Sequence, residues 1–167
     1  MNLVNIVIGN VCSILAMVTD SISATRKTAK AVLHIQNLSQ LIYCIGTIVL
    51  GGYSGAVQNV VSILRNFVAI RNIKNKFLEW LLVSLGVILG LVFNNLGLMG
   101  LLPVVANLQY TLAVFRFQDN DRALKISFAI AVGLFALFNL AIYNVVGVLS
   151  NLVVFVTTVI NLLRSRN

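Results

Sequence analysis

The chain has 167 residues, 59% of them apolar and only 10% charged, with a formal net charge of +8. That balance departs far from a soluble globular domain. It also argues against a nucleic-acid partner, because the positive charges form no patch but punctuate apolar segments, where membrane orientation and contact with anionic lipid account for them.

Seven apolar segments follow one another: Asn2–Thr19, Ala31–Leu50, Ser54–Ile70, Phe77–Phe93, Leu98–Phe115, Ile126–Tyr143 and Val145–Leu163. A spanning helix takes about 20 residues at a rise of about 1.5 Å each. Seven such helices use nearly the whole chain and leave no room for an extramembrane domain. The expected fold class is therefore an all-α membrane protein of seven transmembrane helices. No basic stretch precedes Leu3–Ile14 and no small-residue cleavage site follows, so the first segment reads as a span rather than a leader.

The connections alternate in charge. Arg26, Lys27 and Lys30 follow the first segment, Arg71, Lys74 and Lys76 the third, Arg116, Arg122 and Lys125 the fifth, and Arg164 and Arg166 the seventh. Gly51–Tyr53, Asn94–Gly97 and Asn144 carry no charge. Short loops rich in Lys and Arg stay in the cytoplasm, which predicts a multi-pass membrane protein with the N-terminus outside and the C-terminus cytoplasmic.

Polar side chains at membrane depth face a cavity or bond to neighbouring helices. The second segment carries Gln36, Asn37, Gln40 and Tyr43, of which Gln36, Gln40 and Tyr43 share a face. In the third, Gly55, Asn59, Ser62 and Asn66 recur at helical spacing on one face. The equivalent face of the seventh holds Gly147, Asn151, Val154 and Thr158. Asn59, Asn151, Gln36, Gln40, Tyr43, Ser62, Asn66 and Thr158 are the expected solute-binding residues. Interhelical hydrogen bonding is the competing reading for each. Asn10, Asn107, Gln109 and Tyr110 repeat the theme in the first and fifth segments, whereas the sixth is almost purely apolar around Phe128–Phe138. Any pathway is therefore expected to be asymmetric.

The remaining features read as structural. Arg65 meets an anionic ligand or snorkels to the charged interface, and the second is preferred because Thr157 stands at the equivalent position later in the chain. His34, one turn above Lys30, reads as an interface residue. Cys12 and Cys44 lie in apolar segments without metal-ligand partners and read as small hydrophobes. Glu79 is expected to pair with Lys74 or Lys76, and Trp80 to anchor its helix at the interface. Gly86 and Gly90 stand four apart, a spacing that permits close helix contact, expected within the chain rather than between copies. Asp20, Glu79, Asp119 and Asp121 all fall at or near charged span ends, so no carboxylate is expected at membrane depth. The residues point to no metal, no cofactor and no catalytic set.

The chain also repeats itself. Gly9–Met17 matches Ala106–Val114, and Gly55-Ala56-Val57-Gln58-Asn59 matches Gly147-Val148-Leu149-Ser150-Asn151. This divides it into a triple-helix repeat over 1–72, a linker helix over 73–96 and a second triple-helix repeat over 97–167. The linker span restores a parallel orientation to the second repeat, placing a pathway between the two at mid-depth.

The runs Gly51-Gly52-Tyr53-Ser54-Gly55-Ala56, Leu64-Arg65-Asn66, Leu101-Leu102-Pro103-Val104, Phe115-Arg116 and Asn161-Leu162-Leu163-Arg164 resemble the YgjV family of bacterial inner-membrane proteins over essentially the whole chain. The layout of three, one and three spans is similar to the SWEET, PQ-loop and PnuC-type transporters. That likeness implies facilitated transport of a small neutral polar solute such as a sugar or nucleoside, with Asn59 and Asn151 at the positions where SWEET asparagines contact substrate. Two features depart from the SWEET pattern: Trp80 is the only tryptophan and Pro103 the only proline. The expected function is thus an uncoupled carrier working by alternating access, its partners being membrane lipid and a small polar solute, with a homo-oligomer left open. The alternative is a non-transporting accessory or assembly subunit. A channel is disfavoured, since no charged ring or filter motif appears.

Overall fold

The computed structural model describes residues 2–24, 26, 29–71, 73, 75–117 and 120–164. Lys27, Asn72, Lys74, Asp119 and Ser165-Arg166-Asn167 lie outside them. Regular structure among the described residues is entirely helical: α1 (Leu3–Ala24), α2 (Ala29–Val49), α3 (Tyr53–Ile70), α4 (Lys76–Val92), α5 (Leu98–Arg116), α6 (Asp121–Ala141) and α7 (Val145–Arg164). Helices are what the sequence demands, because a spanning segment must satisfy its own backbone donors and acceptors. Asn75 and Asn120 start α4 and α6 by accepting from the Phe77 and Ala123 amides at 2.8 and 3.0 Å.

Four helices are long and apolar enough to cross a membrane: Leu3–Ser23, Leu98–Arg116, Arg122–Ala141 and Val145–Leu163. In α2 and α3 inward polar side chains dilute the apolar character, and α4 has only 17 residues. The main boundary differences are in α1, which continues past Thr19 to Ala24 and carries Asp20 inside the helix, and in α6, which begins at Asp121 rather than Ile126.

Six helices close a ring in the order α1, α2, α3, α5, α6, α7, with α7 returning to α1 and α4 packed outside against α3 and α5. The ring order, though not the place of α4, is unchanged when α1 is exchanged with α5, α2 with α6 and α3 with α7. Leu38, Leu41, Ile45 and Ile48 of α2 point outward, as do Leu149, Leu152, Val153 and Val156 of α7. Such a belt of apolar side chains suits hydrocarbon. Gly86 and Gly90 of α4 face inward within the chain. A Cβ on Gly90 would lie 2.6 Å from both Gln58 Nε2 and Val104 Cγ2, so the pair lets α4 seat against α3 and α5.

The uncharged end is sealed. Leu50, Phe138 and Ile142 form a buried cluster with Leu96, Leu102 and Phe135 around them. Asn95 donates to the Gly51 carbonyl at 2.7 Å, joining two of the uncharged turns. Gly51 itself has φ of +73°, a conformation that glycine adopts without a side-chain clash. At the opposite end Glu79 is buried and accepts from Arg116 Nε at 2.9 Å, and the Arg116 guanidinium stands 5.5 Å over the Trp80 ring. This corrects the expected pairing of Glu79 with Lys76, while Lys74, the other expected partner, lies outside the described residues. Glu79 faces α5, whose last turn arrives beside the first turn of α4, whereas Lys76 is exposed.

Ser54 and Asn144, at 0% and 2% exposure, are too buried to report which side of the membrane the uncharged turns occupy, but Tyr53 and Tyr143 are exposed. In a cysteine-free variant, Tyr53→Cys and Tyr143→Cys are expected to react with an impermeant thiol reagent from outside the cell, and Arg26→Cys and Arg122→Cys only after permeabilisation. External reaction at either arginine position contradicts the orientation.

Candidate functional site

The ring encloses a cavity of about 520 Å³ to which every one of its six helices contributes. Phe138 stops it at the uncharged end. The ring lies so close to α3 that a Cβ on Gly55 would fall 2.4 Å from Phe138 Cε1, and one on Gly52 2.8 Å from Cζ. Any larger residue at Gly55 would displace this stopper. Towards the charged end the cavity continues to Ser23, Ala69 and Val114, in the last turns of α1, α3 and α5.

Gln36, Gln40, Tyr43, Asn59, Ser62, Asn66 and Asn151 all line this cavity. Thr158 does not: its hydroxyl donates to the Val154 carbonyl one turn back in α7, at 2.7 Å. Gln36, Gln40, Asn59, Asn66 and Asn151 make no side-chain hydrogen bond among the described residues. Tyr43 of α2 and Ser150 of α7 both line the cavity. Opposite this polar wall, α6 presents Phe128, Ala131, Val132, Phe135 and Phe138, with Asn139, which accepts from Asn144 Nδ2 at 2.9 Å, one residue beyond Phe138. The cavity therefore has a hydrogen-bonding side and an aromatic side. The Tyr110 ring stands 5.5 Å from Phe128, where the two sides meet.

The four polar residues of the first and fifth segments have separate duties. Asn107 is almost fully buried between α5 and α3. It donates to Gln58 Oε1 at 2.9 Å and accepts from Arg65 Nη1 at 2.9 Å and Ser62 Oγ at 3.3 Å. Asn10 holds the other seam, donating to the Tyr143 carbonyl at 3.1 Å and accepting from the Val146 amide at 3.0 Å, so that α1 grips the start of α7. Gln109 donates to the Ser127 carbonyl at 2.9 Å, fastening α5 to α6. Tyr110 lines the cavity.

One charged residue corrects the sequence reading and a second refines it. Arg65 does not snorkel. It is 8% exposed, lines the cavity, and lies with its guanidinium 4.7 Å from the centre of the Tyr110 ring. Asn107 and Tyr110 supply a polar partner and a ring face inside the ring, which removes the drive to reach the interface. Asp20 also lines the cavity and accepts a hydrogen bond from the buried Ser39 of α2. The carboxylate thus stands within a helix, about one turn from the charged end of α1, and faces the cavity. The signal was in the spacing. Ser13, Ala16 and Ser23 are the buried inner face of α1, and Asp20 continues it at helical intervals. Among the described residues no group of His, Cys, Asp and Glu is arranged to hold a metal ion.

A closed ring of apolar-faced helices around a polar cavity defines a multi-pass integral membrane protein. The sequence matches the model of the Imp-YgjV family, described as a bacterial inner membrane protein, over residues 7–167, and the chain belongs to that family. No curated protein and no solved structure matches it.

The hydrogen bonds separate cavity-facing asparagines from those that join helices. Asn107→Ala is expected to lower stability by about 1–3 kcal/mol, since it leaves Gln58 and Arg65 short of a buried partner. Asn59→Ala, whose amide bonds to no described residue, is expected to cost less than about 0.5 kcal/mol. Thermal unfolding in detergent measures both, and equal losses at the two sites contradict the assignment.

Proposed function

We propose that the protein is a carrier for a small polar solute, which binds in the central cavity and crosses by alternating access between the α1–α3 and α5–α7 halves. The observation that carries this reading is the cavity itself. Its volume of about 520 Å³ falls in the range of small-molecule sites. A subunit that only knits helices together has no use for such a space, and its polar side chains would be spent on one another. Here the amides of Gln36, Gln40, Asn59, Asn66 and Asn151 remain available to a solute. An amide both donates and accepts, as a polyhydroxylated or otherwise neutral polar group requires.

Each seam has a role in this mechanism. The Gln58–Asn107–Arg65 contacts bind α3 to α5 through several buried hydrogen bonds, and α4 braces them from outside. The α1–α7 seam rests on Asn10 near the uncharged end. Rocking of the halves about the first seam would part the second. Release of Phe138 from Gly52 and Gly55 would then open the uncharged end while the charged end narrows. Facing the charged loops, the cavity is in the cytoplasmic-access state, given the orientation that the basic residues predict.

The test uses Asn151→Cys in a background with Cys12→Ala and Cys44→Ala. A hydrophilic, impermeant thiol reagent is expected to reach this position from the face bearing the charged loops. Adding Phe138→Ala is expected to raise the rate from the opposite face at least tenfold. A position unreactive from both faces, with and without Phe138, contradicts a solute pathway and favours the accessory-subunit reading.

A further inference from the structure

Among the described residues Arg65 and Asp20 are the two charged side chains of the cavity wall, and they are not paired with each other. Each is held in place by a neutral group instead. Arg65 spends Nη1 on Asn107 Oδ1 at 2.9 Å and on Thr111 Oγ at 3.5 Å, while Tyr110 lies against its guanidinium at 4.7 Å. Its Nε and Nη2 donors have no partner among the described residues. Asp20 accepts from Ser39 through Oδ1, and its Oδ2 is likewise unpartnered among the described residues.

The cavity brings the two together. Asp20 lies four residues before the end of α1 and Arg65 five before the end of α3. At helical rise those are about 6 and 7.5 Å from the ends of their helices, and both charges line the same cavity. A buried charge without a partner is costly. One cation and one anion held apart in the same cavity are both satisfied when a bound molecule brings the complementary pair between them.

We infer that the solute is a zwitterion of the amino-acid type, with its carboxylate on Arg65 and its ammonium on Asp20. This deepens the carrier reading and rests on it. A guanidinium fork takes a carboxylate through two parallel N–H···O bonds, and Nε with Nη2 is such a fork. The free Asp20 oxygen accepts from an ammonium, which offers only donors. The solute is neutral overall, as the cavity's own charges are, so binding leaves no uncompensated charge inside the ring. The side chain of the solute would lie towards Phe128, Phe135 and Tyr110, the aromatic part of the wall.

The test measures thermal unfolding of the purified full-length protein in detergent against the standard L-amino acids. Each is paired with its carboxamide and its N-acetyl derivative, and glucose and uridine are included. At least one free amino acid is expected to stabilise the protein, with its carboxamide and N-acetyl forms binding at least tenfold more weakly. Arg65→Gln and Asp20→Asn are expected to weaken that amino acid at least tenfold, Arg65→Lys less so, and Thr158→Ala, outside the cavity, not at all. Should the charge variants fail to fold, the comparison of each amino acid with its two derivatives on the unaltered protein decides. Derivatives that bind as well as their parent overturn the inference. Binding of glucose or uridine without any amino acid overturns it too, while leaving the carrier reading intact. If no probe binds, the inference falls, and the carrier reading is decided by thiol access at position 151.

Discussion

Asn107 sits where α5, α3 and the cavity wall meet, and the arrangement of the whole ring depends on what it holds. Its amide donates to Gln58 and its carbonyl accepts from Arg65 and Ser62, so one side chain satisfies three others at a depth where water is not supplied by the membrane. Gln58 in turn donates to the Gly86 carbonyl at 2.8 Å, which brings α4 into the same network. The seam between the two halves is thus built from polar contacts where lipid would offer none, and polar contacts of that kind have one good geometry. They fix the register of α3 against α5, and through it the width of the ring.

The opposite seam is made differently. Asn10 reaches backbone groups at the start of α7, and the apolar faces of α1 and α7 elsewhere turn outward. The ring is therefore firm on one side and lightly fastened on the other. Its cavity is unequal in the same sense, with amides and a phenol on α2 and α3 and phenyl rings on α6. The halves repeat one another in connectivity but not in chemistry. A site with one hydrogen-bonding wall and one aromatic wall grips an amphipathic solute in a single orientation, which a symmetric site would not do.

Much of this was legible in the sequence. Apolar runs of membrane length and alternating basic connections gave the helices and their order, because hydrophobic length and loop charge are local properties. The polar stripe on α3 and the Gln36–Gln40–Tyr43 face of α2 were readable from spacing alone, and both stripes turn inward. What spacing does not carry is the neighbour. Thr158 shares the stripe of Asn151 but folds its hydroxyl back on its own helix. Glu79 has basic residues close in sequence yet pairs with Arg116, which only antiparallel packing of α4 and α5 brings near. Arg65 looked like a snorkelling residue because its partners, Asn107 and Tyr110, come from a helix more than forty positions away. Asp20 was placed at a span end because the apolar run stops at Thr19, although helical structure continues to Ala24. A hydropathy boundary marks where lipid contact ends, and a helix does not have to end there.

The central claim is that the polar face of α2 looks into a water-filled space while the opposite face meets lipid. A spin label carried singly from position 33 to position 48 in proteoliposomes reads both environments, through collision with a water-soluble nickel chelate and with oxygen dissolved in the bilayer. Chelate access is expected to peak at 36, 40, 43 and 47, and oxygen access at 38, 41, 45 and 48, the two out of phase around the helix. Oxygen access that is uniform along the segment, with no chelate peak at 36, 40 or 43, would contradict the cavity and with it the account built on it.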